Sequence, residues 1–169
     1  MGMGQMKRYE SVTMIIAHIK DNFTAAFFPR WAEWAAAFVL LGIGMMLSVN
    51  TSLMVSSVAN GYGKGYELLL AIAGQSVWAT TLTVFGSFRL AILLINGAWR
   101  RSPIARAVMA FLSCFFWTQL ALSFQSTFGF AFVMACGWLL TDIVNILRAS
   151  RDARTVNDVL ARGKGSGLD

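Results

Sequence analysis

Charge is scarce in this chain. Lysine, arginine, aspartate and glutamate together make 13% of its 169 residues, about half the share an ordinary soluble domain carries. A surface facing water needs charge to cover it, so water is not expected to be the main solvent. Histidine occurs once, and cysteine and proline twice each. His18 stands alone in a polar-edged segment and reads as incidental. Cys114 and Cys136 fall inside apolar blocks, without the spacing or partners of a zinc site or a disulfide framework. No serine sits in a nucleophile elbow, and carboxylates are few. The expectation is a protein that is not an enzyme and holds no metal or cofactor.

What the chain has instead is apolar length. Hydrophobic residues make 57% of it, in blocks that match the ~20 residues a helix needs to cross a bilayer. The expected fold is all-α, a polytopic membrane helical bundle of four spans. Three regions are expected. Residues 1–29 form an N-terminal amphipathic interfacial segment, 30–147 the four-span domain, and 148–169 a basic helical tail. The first apolar block begins too far in, and is too long, for a signal peptide. Met6 stands where a myristoylation motif wants Ser or Thr.

Within 9–28, Val12, Ile15, Ile16, Ile19, Phe23 and Phe27 recur at helical spacing while Lys20, Asp21 and Asn22 lie off that stripe. Pro29, Trp31 and Trp34 then introduce the first span, about 34–56, in which Gly42 and Gly44 leave a groove for a neighbouring helix or for a second copy. The second block, about 68–99, makes a helix of roughly 48 Å, overlong for a hydrocarbon core of ~30 Å. Its first half is the most polar intramembrane stretch, with Gln75 and Thr81 as candidate packing or pore-lining residues. Ser102 and Pro103 read as a helix N-cap and first position. The third and fourth spans, about 104–124 and 127–147, are joined by a link short enough for a helical hairpin. Phe115, Phe116, Trp117, Phe124, Phe128, Phe130 and Phe132 read as packing and lipid contact. The strings GYGKG and GKGSG lack the phosphate-loop pattern and read as a turn and a chain end.

Positive charge marks the topology. Leaving Arg89 aside, every lysine and arginine except Lys64 falls on one side of a four-span arrangement. By the positive-inside rule both termini are expected to be cytoplasmic. The net charge of +6 is thereby explained by lipid topology, and no nucleic acid is expected. Arg148, Arg151 and Arg154 line the tail as a candidate docking surface for a protein partner.

Two charges stand inside spans. Arg89 lies ~16 Å along its helix from Arg100, and Asp142 ~9 Å from Arg148. Both lie nearer the basic end of their helices, so a buried Arg89–Asp142 pair is the leading expectation. Snorkelling of Arg89 to headgroups and a place in an ion path are the alternatives.

The strings RLAILLINGAWRRSPIARAVMAFLSCFFW (89–117) and DIVNILRASRDAR (142–154) resemble the small multi-spanning proteins encoded in tailed-phage and prophage genomes of proteobacteria. The likeness covers the second half of the chain and carries no site residues. It implies a phage-type, multi-pass protein of the bacterial inner membrane. A holin-like protein that oligomerises and opens the inner membrane is the first expectation. A membrane interaction protein, acting in superinfection exclusion or as an anchor of a larger assembly, is the second. A small transporter or channel subunit is the third.

Overall fold

The computed structural model describes residue 27 and residues 30–61, 63–98, 102–124 and 128–165. The amphipathic segment expected over 9–28, with His18, lies outside the described residues apart from Phe27. Among the described residues the chain is all-helical, with α1 (Trp31–Val49), α2 (Leu53–Ala59), α3 (Lys64–Ile72), α4 (Gln75–Ala98), α5 (Pro103–Phe124) and α6 (Phe130–Gly165). Four of these, α1, α4, α5 and α6, are long and apolar enough to cross a membrane. Only 17–39% of each spanning stretch is buried inside the bundle. Most of the apolar side chains therefore face outward, the arrangement expected where lipid is the solvent.

The first span ends earlier than the sequence suggests, at Val49 rather than about 56. Asn50, Thr51 and Ser52 carry short polar side chains that compete for nearby backbone groups, and Asn50 Nδ2 donates to the Met46 carbonyl at 3.1 Å. The chain then forms a short hairpin, α2 and α3, largely from residues expected at the end of the first span and the start of the second block. Gly61 makes its turn with φ +76°, a left-handed conformation that glycine adopts without a side-chain penalty.

The helix expected over 68–99 is likewise divided. Ala73 is extended, with φ −158° and ψ 153°, and α4 restarts at Gln75. The break solves the length problem. The spanning part, 24 residues, is ~36 Å long and fits the bilayer with a modest tilt. Pro103 opens α5 as expected, with the Ala105 N–H 3.4 Å from Ser102 Oγ.

The spans assemble as two closely packed helix pairs, α1 with α4 and α5 with α6. Glycine permits the first. A Cβ at Gly44 would lie 2.5 Å from the Thr83 backbone nitrogen, and one at Gly86 2.6 Å from that of Leu41. Gly42, expected to share this role, is exposed with nothing within 4 Å of a Cβ position. Between the pairs lies a seam. At one end, where α1 ends and α4 begins, α3 closes it by fitting Gly65 against the Phe124 ring of α5. This is the distal end below. The proximal end is where α1 begins, α4 meets α5 and α6 extends beyond the bundle.

Candidate functional site

Two ionic clusters cross the seam. The first joins α4 to α6. Arg89 Nη2 lies 2.5 Å from Asp142 Oδ1, and Nη1 donates to Oδ2 at 2.8 Å. This two-point contact matches the planar guanidinium to the carboxylate. Two residues from α5 complete it. Ser113 Oγ accepts from Arg89 at 2.6 Å and lies 2.5 Å from Asp142 Oδ2 as a donor. Trp117 Nε1 donates to the same oxygen at 2.9 Å. Asn145, one turn along α6, donates to Oδ1 at 3.1 Å. Asp142 and Ser113 are fully buried, and Arg89 and Asn145 nearly so. A buried ion pair offsets its desolvation only when the remaining lone pairs and protons find partners, and here both carboxylate oxygens are saturated. The structure thus brings together Arg89 and Asp142, and adds Ser113, Trp117 and Asn145 around them.

The second cluster joins α1 to α5 nearer the proximal end. Arg106 Nε donates to Glu33 Oε2 at 2.9 Å, and its Nη2 bonds Glu33 Oε1. Arg106 Nη1 reaches Asp152 Oδ2 on α6 at 2.9 Å. Glu33 and Arg106 are buried, while Asp152 is half exposed to its surroundings. The sequence reading missed this cluster. Arg106 counted only as a topological marker, and Asp152 lies in the basic tail, where one acid among arginines draws no notice. Glu33 drew no attention because an acid near the start of a helix is unremarkable.

Gln75 packs against the break between α1 and α2, and its amide is taken up by backbone groups there. Its Nε2 donates to the Leu47 carbonyl at 2.9 Å and also bonds the Asn50 carbonyl. Its Oε1 accepts from the Met54 N–H at 2.8 Å. One amide thereby satisfies backbone groups freed where α1 stops and α2 starts, which hydrocarbon would leave unpaired at a high cost. Asn96 plays a similar part proximally, accepting from the Ser102 N–H at 2.6 Å. Thr81 is exposed on α4. Arg148, Arg151 and Arg154 are exposed on α6. Cys114 and Cys136 are both free thiols, partly buried.

Between the distal closure and the Arg89 cluster the seam widens into a cavity of about 240 Å³. Its walls include Ile43 and Leu47 of α1, Leu82 of α4, Leu120 of α5 and Ala135 of α6, with Tyr66 near the distal end. Trp117 also belongs to its lining, so a single side chain joins the cavity to the carboxylate of Asp142.

The site is therefore a seam with three levels: an apolar cavity, a saturated Arg–Asp cluster and a Glu–Arg–Asp cluster. Comparison with protein-family models, curated proteins and solved structures finds no match to this chain.

Proposed function

We propose that the protein is a small inner-membrane protein of phage or prophage type that self-associates and opens the membrane in the manner of a holin. The observation that carries this reading is a stripe of hydroxyls on the outside of the α1–α4 pair. Ser76, Thr80 and Ser87 recur along one face of α4 at spacings of four and seven, the repeat of a helical contact line. All three are exposed, whereas the neighbouring Thr83 turns its hydroxyl inward, buried beside Gly44 of α1. Ser48 and Thr51 continue the polar surface beside Ser76 and Thr80 in a small surface notch. Copies brought together along this stripe would turn hydroxyls toward one another and give water a compatible wall. The charged residues serve a different end, since both clusters tie the subunit itself together.

In this reading both termini are cytoplasmic, so the basic proximal end faces the cytoplasm. The test is induced expression in a bacterial host together with an endolysin. Wild-type protein should collapse the membrane potential abruptly and release the enzyme. A Ser76→Ala, Thr80→Val, Ser87→Ala variant should reach the same membrane level yet delay or abolish lysis. Normal growth and potential at full membrane expression would sink the proposal.

A second reading has its own support. The 36 residues of α6 run ~54 Å, well beyond a ~30 Å hydrocarbon core, and present Arg148, Arg151 and Arg154 on the projecting part. An interaction protein, acting in superinfection exclusion or anchoring a larger assembly, would use this surface. It should leave growth normal and reduce infection by a related phage, an effect lost on changing the three arginines to glutamine.

A further inference from the structure

We propose that Arg148, Arg151 and Arg154, with the apolar line of α6 that leads to them, bind an anionic phospholipid. The arginines take its phosphate and the line takes an acyl chain. The proposal does not depend on how the protein acts on the membrane.

Depth comes first. Phe130 is exposed at the distal start of α6, and the three arginines stand ~27, ~32 and ~36 Å along the helix from it. The hydrocarbon core is ~30 Å thick, and headgroups extend the bilayer to about 40–45 Å. The arginines therefore stand at the proximal edge of the core and in the headgroup layer. Neighbouring helices give the same level. Asp152, next to Arg151, bonds Arg106 in the first turn of α5, and Arg106 bonds Glu33 in the first turn of α1. Two other spans thus begin beside Arg151. Trp31, which opens α1, is exposed there, where tryptophan anchors a span at the headgroups.

Direction comes next. Leu140, Val144, Leu147, Arg151 and Arg154 recur at spacings of four, three, four and three, one line along the helix. All five are exposed, while Asp142, Asn145 and Ala149 on the other side are buried in the bundle. The line therefore runs through the acyl-chain layer and ends in guanidinium groups at the level of the phosphates. Arg148 stands beside it, three residues before Arg151, so the two side chains are neighbours that can close on one phosphate. Guanidinium meets phosphate in a two-point geometry that an ammonium lacks.

The decisive feature is that this charge is left uncompensated. Asp152 is the one acid between Ile143 and Thr155. It lies four residues from Arg148, the spacing of a helical ion pair, yet its carboxylate turns to Arg106 at 2.9 Å. None of the three arginines has an ion-pair partner among the described residues. The proximal cluster thus draws away the acid that would have neutralised them, and an anion from outside takes its place. An acidic protein would meet the charges but not the apolar line beneath them. A phospholipid meets both.

The experiment uses the full chain in phosphatidylcholine nanodiscs, with Cys114→Ala and Cys136→Ala and a bimane fluorophore attached through Leu147→Cys. The probes are phosphatidylglycerol and phosphatidylcholine, each brominated on one acyl chain. Brominated phosphatidylglycerol should half-quench the label at about one-fifth of the mole fraction that brominated phosphatidylcholine needs, the factor of roughly one arginine–headgroup contact. A label at Leu94→Cys is the reference. Leu94 is exposed on α4, five residues beyond Arg89 as Leu147 is five beyond Asp142, so the two labels share a depth. Arg148→Gln with Arg151→Gln and Arg154→Gln should abolish the preference at position 147 and leave quenching at position 94 as it was. Equal quenching by the two probes at position 147 would leave the arginines to an acidic protein, and an equal fall at both labels would show attraction by net charge alone. Either result overturns the proposal. The preference is read with all three arginines in place, so this arm stands even if the glutamine variant fails to fold.

Discussion

Asp142 receives hydrogen bonds from Arg89, Ser113, Trp117 and Asn145, and that saturation sets what its loss would do. Removing one partner of a buried ion pair leaves the other charge unpaired, a loss of about 3–5 kcal/mol. Asp142→Ala and Arg89→Ala should each reduce the folded protein recovered from the membrane. Arg89→Leu with Asp142→Leu should be milder than either alanine variant, as a thermal-unfolding double-mutant cycle in detergent would report. Additive losses would mean that the two residues act separately. Ser113→Ala should cost only about 1 kcal/mol, since Trp117 and Arg89 still cover the oxygen it served. This pair was legible in the sequence because each residue is a lone charge within an apolar run. Glu33 and Arg106 were not legible, for the opposite reason. Both lie near span ends, where charge is ordinary, and only the fold shows that they turn inward.

Among the helices, the close approach of α1 to α4 depends on Gly44 and Gly86, and the expected asymmetry with Gly42 is sharp. Gly44→Ala places a methyl against the Thr83 backbone and should cost about 1–3 kcal/mol through forced displacement. Gly42→Ala meets open space and should be neutral, or stabilise by roughly 0.5–1 kcal/mol through helix propensity. Melting temperatures of the two variants in the same detergent would compare them. At the divided second block, Gln75→Ala leaves the Leu47 carbonyl and the Met54 N–H without their partner, and should lower stability by about 1–3 kcal/mol. Gln75→Glu should be worse, because it removes the donor and places a carboxylate against carbonyl oxygens. Hydrogen exchange at Met54 would report either loss directly. The excess length over 68–99 was the visible sign of a break. Its position was hidden, because Ala73 and Gly74 read like any other residues in an apolar run. The polarity of Gln75 was noticed too, but periodicity does not distinguish a side chain facing water from one facing a broken backbone.

For the molecule as a whole, the distribution of charge between the two helix pairs matters more than any single bridge. The α1–α4 pair contributes one buried acid and one buried base, Glu33 and Arg89. The α5–α6 pair contributes the opposite partner for each, Arg106 and Asp142. Each pair is therefore incomplete alone and complementary to the other. Residues 1–98 and 99–169 expressed together as separate chains should assemble and co-purify. Either expressed alone should be degraded, and Glu33→Arg should abolish the assembly. Recovery of a stable, isolated first half would refute this complementarity. The four spans and the basic bias of one end were readable from composition and periodicity. The division into pairs was not, because nothing in a helix's apolar count says which neighbour it prefers.

The same arrangement bears on synthesis. A chain made from its N-terminus delivers α1 and α4 to the membrane first, with Glu33 and Arg89 still waiting for partners that remain inside the ribosome. Only when α6 has emerged does every buried charge find its counterpart. A product that stops early, or threads its last hairpin wrongly, exposes bare charge to hydrocarbon and marks itself for removal. The buried ions thus let the chain check its own completeness.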